Sequence, residues 1–111
     1  MCVLFRFLRA ILFLSAFMLP QTAFSGDKTL GEERYKETCI NCHGPAGKGV
    51  ASYPKISGKE ISYTTAKLEA YRDGKEIGSN SFLMIPMAKP LTDEEIANLA
   101  AYLKDAKYVV E

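Results

Sequence analysis

The chain has 111 residues, the length of one ordinary domain. Fourteen Lys and Arg against thirteen Asp and Glu give a formal charge of +1, which excludes the strongly basic composition of a general nucleic-acid-binding protein. Hydrophobic residues make up 48% of the chain, which argues against disorder, and a single histidine excludes a multi-histidine metal site.

Residues 1–25 have the composition of an export signal. Arg6 and Arg9 precede an apolar run of ten residues, and Ala23 and Ser25 place small side chains three and one positions before a cleavage point. This order is typical of a secretory signal peptide that is cleaved after Ser25. The alternative is an uncleaved membrane anchor, although ten apolar residues are about half of the roughly 20 that span a bilayer.

Cleavage would leave a mature domain of residues 26–111, which we predict to be periplasmic, with no stable membrane insertion. Its formal charge is −1, and Cys39 and Cys42 are its two cysteines. A domain of this size buries a modest fraction of its surface and often needs additional stabilisation.

Two helices are predicted in the first part of the mature domain, from about Lys28 to Cys39 and from about Glu60 to Asp73. In the first helix, Gly31 and Tyr35 are four residues apart and therefore share a face. The second helix has a thinner apolar stripe, and Gly74 follows it in the position expected after a helix C-terminus.

The final helix has the clearest pattern. Thr92 and Glu95 have the spacing of a capping box, and acidic residues fill the first turn. An apolar face follows at helical spacing: Ile96, Leu99, Ala100 and Leu103. Since no segment alternates as a strand does, the sequence predicts an all-α fold of three to four helices.

Two connecting segments of about fifteen residues, 44–58 and 74–90, are rich in turn residues. Segments of that length without regular structure are unusual inside so small a domain. A large apolar cofactor would give both of them a surface to pack against and would also enlarge the core.

Cys39, Cys42 and His43 form a Cys-x-x-Cys-His sequence, the attachment motif for c-type haem. Two thiols on one helical turn can form thioethers with the two vinyl groups of haem, and the following histidine is then the proximal iron ligand. Haem is attached outside the cytoplasm, so the export signal agrees. We therefore predict one covalent haem c.

Three other interpretations compete. A thioredoxin-like redox pair also uses Cys-x-x-Cys, but in a βαβ context that this sequence lacks. A structural zinc site needs four ligands, and the mature domain offers three from the usual soft set. A disulfide between Cys39 and Cys42 would leave His43 without a role.

The chain resembles the class I c-type cytochromes over residues 27–105. Four segments carry the resemblance: CINCHG at 39–44, YPKISG at 53–58, YRDG at 71–74, and MIPMA at 84–88 leading into LTDEEI at 91–96. In that family the first and last helices cross, and Gly31 and Tyr35 against Leu99 and Tyr102 match the crossing. The resemblance implies a cytochrome c-like fold whose helices and long loops wrap around one haem.

Met84 and Met87 are the methionines of the mature domain, and both are in the second connecting segment. A methionine often only fills space in a core, but this position favours an iron ligand. In similar cytochromes the ligand stands seven residues before the Leu at the start of the last helix, so counting back from Leu91 implies Met84. Met87 is the alternative.

The resemblance also suggests groups around the haem. A proline carbonyl hydrogen-bonds the proximal imidazole in the family, and Pro54 is the candidate here, although Pro45 is nearer to the motif. Tyr53, Tyr63 and Tyr71 are candidates to reach a haem propionate, and each is equally an ordinary half-buried aromatic.

The leading functional prediction is an exported monohaem electron carrier rather than an enzyme, with His43 and Met84 as axial ligands of an iron that alternates between Fe(II) and Fe(III). Its partners would be redox proteins that bind briefly, and the carrier itself a monomer or weak dimer. Four lysines are in the loops expected to flank the haem edge, where they would form a weak basic ring or simply be solvated: Lys48, Lys55, Lys59 and Lys89. The alternatives are a cytochrome subunit of a larger redox enzyme and a haem-based ligand binder or sensor.

Overall fold

The computed structural model describes residues 25–110, so the predicted signal peptide lies outside the described residues except for Ser25. The described part is all-α, as the sequence predicts. Its helices are α1 (Lys28–Thr38), α2 (Ile40–His43), α3 (Ile61–Arg72), α4 (Met84–Ala88) and α5 (Asp93–Asp105). Short 3₁₀ turns lie at Pro45–Gly47 and Ser81–Leu83. None of the helices between residues 25 and 110 has the length and apolarity to cross a membrane.

The helices α1 and α5 cross at Gly31. A Cβ on Gly31 would lie 2.0 Å from the carbonyl oxygen of Asn98, so the two backbones are in direct contact there. Tyr35 is fully buried one turn later, and its ring centroid lies 5.5 Å from that of Tyr102. The structure therefore confirms that a small residue, Gly31, and an aromatic residue, Tyr35, of α1 pack against α5 at the crossing.

Polar contacts fix how the two crossing helices are joined. The backbone N–H of Asp27 donates to Asn98 Oδ1 at 2.7 Å, and the Asp27 side chain caps α1 by accepting from Leu30 N. The ammonium of Lys28 forms an ion pair with Asp105 and lowers the pKa of that carboxyl. The start of α1 is thus bonded to the middle of α5 and paired with its end.

The start of α5 has the capping box that the sequence predicts. Thr92 Oγ1 accepts from Glu95 N at 3.1 Å, and Glu95 Oε2 accepts from Thr92 N at 3.0 Å. The apolar face of α5 supplies half of the core, which consists of Tyr35, Ala88, Leu91, Ile96, Leu99 and Leu103. Both α1 and α3 pack on this helix, and α4 packs on α3.

The second connecting segment differs from the prediction of an irregular loop. Met84 is the first residue of α4, a short helix that also contains Pro86 and Met87. Proline is compatible with this position because the N–H groups of a first turn have no partner within the helix. The sequence analysis therefore missed this helical turn because the segment is rich in Gly and Pro.

Gly31→Ala tests the crossing. Adding a Cβ against the α5 backbone is expected to lower the free energy of unfolding by about 1–3 kcal/mol. Helix propensity alone predicts the opposite sign, a gain of about 0.5–1 kcal/mol. Urea titrations would decide, with Glu33→Ala at an exposed position of the same helix as the control. A Gly31→Ala protein as stable as the wild type would contradict the close crossing.

Candidate functional site

The Cys-x-x-Cys-His sequence lies where α1 turns into α2. Cys39 joins the two helices and is half-buried, Cys42 is exposed within α2, and His43 ends α2 with 7% of its surface exposed. Both thiols are free, so they form no disulfide with each other. Burial raises the pKa of the Cys39 thiol.

The imidazole of His43 is held by one hydrogen bond. Its Nδ1 lies 2.9 Å from the carbonyl oxygen of Pro54. A carbonyl oxygen can only accept, so Nδ1 carries the proton and Nε2 has the free electron pair. The structure therefore confirms Pro54, rather than Pro45, as the partner of the imidazole.

The segment between α2 and α3 folds back onto the histidine. Gly49 N donates to His43 O at 2.8 Å, and the N–H groups of Ile56 and Ser57 both donate to Gly47 O. Gly58 N donates to Leu103 O and so fastens the end of the segment to α5. These bonds hold Pro54 in place beside the imidazole.

Tyr35 extends this network into the core. Its hydroxyl donates to the carbonyl oxygen of Gly44, the residue directly after His43, at 2.5 Å. Burial raises the pKa of Tyr35 to about 12, so the hydroxyl stays protonated and keeps donating throughout the neutral range. The α1 helix therefore holds the attachment sequence at both ends, through the chain at Cys39 and through this bond after His43.

The two methionines lie in α4 at different depths. Met84 is half-buried, whereas 50% of the Met87 surface is exposed. Arg72, at the end of α3, donates to Leu91 O at 3.2 Å and forms an ion pair with Asp93 at 2.7 Å. These contacts join the two ends of the segment that carries the methionines.

The surroundings fit a large apolar ligand. Exposed large apolar side chains are concentrated in the two connecting segments and the first turn of α3: Val50, Tyr53, Ile61, Tyr63, Ile77, Phe82, Leu83 and Met87. Exposed apolar side chains in this number are ones that a large apolar ligand would cover. Within residues 25–110, no group of three or more His, Cys, Asp or Glu side chains is arranged to hold a metal ion directly. Two free thiols and an imidazole with a free Nε2 are the donors that haem c requires.

Comparison with known proteins agrees with this donor set. The model of the family described as Cytochrome c matches residues 29–107. The chain belongs to the cytochrome c family. Its cofactor is covalently bound haem c, and Cys39 and Cys42 occupy the cysteine positions of the attachment motif.

Three relatives show how similar the chain is to known cytochromes and how much of each protein it covers. Cytochrome c-554(548) of Halomonas halodenitrificans is 46% identical over 79 residues, 70% of this chain and 94% of that protein. Cytochrome c4 of Thiocapsa roseopersicina is 41% identical over 78 residues, 69% of this chain and 38% of that protein. The thiosulfate dehydrogenase electron acceptor of Stutzerimonas stutzeri is 39% identical over 71 residues, 63% of this chain and 33% of that protein. The chain thus spans nearly all of the first relative and about a third of each of the other two.

Sequence reasoning missed two groups that shape this cytochrome c site. The hydroxyl of Tyr35 bonds to Gly44, although the sequence suggested only a core aromatic there. Arg72 closes the methionine-bearing segment by binding Leu91 and Asp93. A signal for the second existed, because a lone Arg at a helix end and an acidic first turn in the next long helix are complementary.

Tyr35→Phe tests the bond to Gly44. At pH 7 the free energy of unfolding is expected to fall by about 1 kcal/mol, because one buried hydrogen bond is lost. The pKa of Tyr35 is raised from 10.0 to about 12 in the folded protein, so the wild type is fully stabilised below pH 10 and loses this stability as pH rises towards 12. The variant has no hydroxyl to ionise at this position.

The difference in stability between wild type and Tyr35→Phe should therefore shrink between pH 10 and pH 12. Denaturant titrations of both proteins at pH 7, 10 and 12 would measure it. A difference that stays constant over this range would contradict the assigned role of the buried hydroxyl.

Proposed function

We propose that the protein is an exported electron carrier in which residues 26–111 hold one haem c, with His43 and Met84 as the axial iron ligands. The observation that carries this proposal is the hydrogen bond from His43 Nδ1 to Pro54 O, because it leaves Nε2 as a free donor next to two free thiols. The haem supplies a one-electron Fe(II)/Fe(III) couple when it is bound.

The cysteines and the histidine of the attachment sequence would hold the cofactor in different ways. Cys39 and Cys42 form the thioether bonds, so the cofactor cannot dissociate. His43 donates its Nε2 electron pair, and the bond to Pro54 both fixes the ring and raises its basicity. The two connecting segments would supply the apolar side chains that pack against the ring system.

Met84 is proposed as the second axial ligand in preference to Met87. Its spacing from Leu91 matches the class I cytochromes that the sequence resembles. Its half-buried position also favours it, because a thioether binds iron best where water is excluded, whereas Met87 is half exposed to solvent. Arg72 supports this ligand by joining the ends of its segment.

Met84→Ala and Met87→Ala form a matched pair that tests the ligand. Met84→Ala should abolish the weak long-wavelength Met–Fe(III) absorption band and lower the midpoint potential, because a thioether ligand raises it. Met87→Ala should keep the band. Absorption spectra of both oxidised proteins would decide, and the reverse pattern would assign the ligand to Met87.

We also propose that residues 1–25 direct export and are removed. Gly26, the first residue after the proposed cleavage point, packs on the domain, since a Cβ there would lie 2.1 Å from Ala97 O on α5. The mass of the protein recovered from the periplasm would test this, and a species that retains residues 1–25 in the membrane fraction would contradict cleavage.

An electron acceptor of an exported dehydrogenase is the second candidate function. It is favoured by one relative, which is named as the electron acceptor of thiosulfate dehydrogenase. The two functions differ in how long the partner stays bound. A free carrier elutes alone from gel filtration of a periplasmic extract, whereas an enzyme subunit elutes with its dehydrogenase.

A further inference from the structure

Gly49 contacts both partners of the histidine hydrogen bond. Its N–H donates to the carbonyl oxygen of His43 at 2.8 Å. A Cβ on Gly49 would lie 2.8 Å from Lys55 N and 3.1 Å from the carbonyl carbon of Pro54. The backbone of Gly49 therefore rests against the peptide whose oxygen accepts the His43 proton.

A tight turn produces this contact. Val50 and Tyr53 exchange two backbone hydrogen bonds, of 3.2 and 2.9 Å, which return the chain directly onto Gly49. Ala51 within the turn takes a left-handed backbone conformation, with φ of 53°, and Gly49 has φ of +86°. Glycine adopts this conformation without strain, whereas a left-handed alanine persists only where the surrounding structure fixes it.

We infer that Gly49 is a positioning residue that sets how closely Pro54 O approaches His43 Nδ1, and through that distance the midpoint potential of the protein. The inference rests on the proposed ligation by His43. A close carbonyl makes the imidazole a stronger electron donor, which stabilises Fe(III) and lowers the potential. Any side chain at position 49 would push the Pro54 peptide away and reverse this effect.

Gly78 offers a matched control for testing Gly49. It has the same φ of +86°, but a Cβ there would meet no atom within 4 Å. Gly49→Ala and Gly78→Ala therefore both place an alanine at the same positive φ, and only the Cβ at position 49 would contact the Pro54 peptide. A difference in midpoint potential between the two variants therefore reports the contact with the Pro54 peptide, because both variants carry a left-handed alanine.

In the haem-loaded protein, Gly49→Ala should raise the midpoint potential and speed hydrogen exchange at His43 Nδ1 about tenfold, the effect of losing one hydrogen bond. Gly78→Ala should leave both quantities at their wild-type values. If Gly49→Ala folds poorly, combining it with Ala51→Gly removes a second strained position from the same turn. Ala51→Gly alone is then the reference.

Voltammetry and NMR of the wild type, Gly49→Ala and Gly78→Ala distinguish a failure of the role of Gly49 from a failure of the proposed function. Equal potentials and equal exchange rates in Gly49→Ala and Gly78→Ala would overturn the role of Gly49. A wild-type Fe(III) protein without paramagnetically shifted imidazole resonances from His43 would instead contradict the proposed function. Imidazole resonances in every protein, with a raised potential in Gly49→Ala alone, are the result that the inference predicts.

Discussion

The close crossing of α1 and α5 at Gly31 positions both halves of the site. The helix α1 runs directly into Cys39 and so into the attachment sequence, while α5 begins just after the segment that carries Met84. The two backbones are in contact at Gly31. This contact fixes the position of the attachment sequence, which follows α1, relative to the segment that precedes α5. A domain with so small a core would in this way have two long connecting segments available to pack against a large cofactor.

Backbone groups account for most of the order around His43. Its imidazole bonds to the carbonyl of Pro54, its own carbonyl accepts from Gly49, and the next residue, Gly44, accepts from the buried hydroxyl of Tyr35. Each partner is fixed by the fold rather than by a mobile side chain. The orientation of the histidine is therefore set by the fold, and ligands fixed in this way favour a small reorganisation of an electron-transfer site.

Features that depend on local spacing could be predicted from the sequence. The capping box at Thr92 follows from a motif a few residues long, and it is confirmed. The bond from His43 to Pro54, eleven residues further along the chain, was implied by the resemblance to class I cytochromes, and it is also confirmed. The helix α4 was not predicted, because its five residues include a proline. The bond from Tyr35 to Gly44 was also missed, because no local pattern reveals how a loop returns to a buried hydroxyl.

The central claim is that Cys39 and Cys42 hold one haem covalently, with His43 and a methionine as its iron ligands. The absorption spectrum of the exported protein, reduced and oxidised and then repeated after denaturing extraction of free haem, tests this most directly. We predict a c-type α-band that survives extraction and a weak long-wavelength Met–Fe(III) band in the native oxidised protein. Loss of all haem on extraction would contradict covalent attachment, and retained haem without the long-wavelength band would contradict methionine ligation.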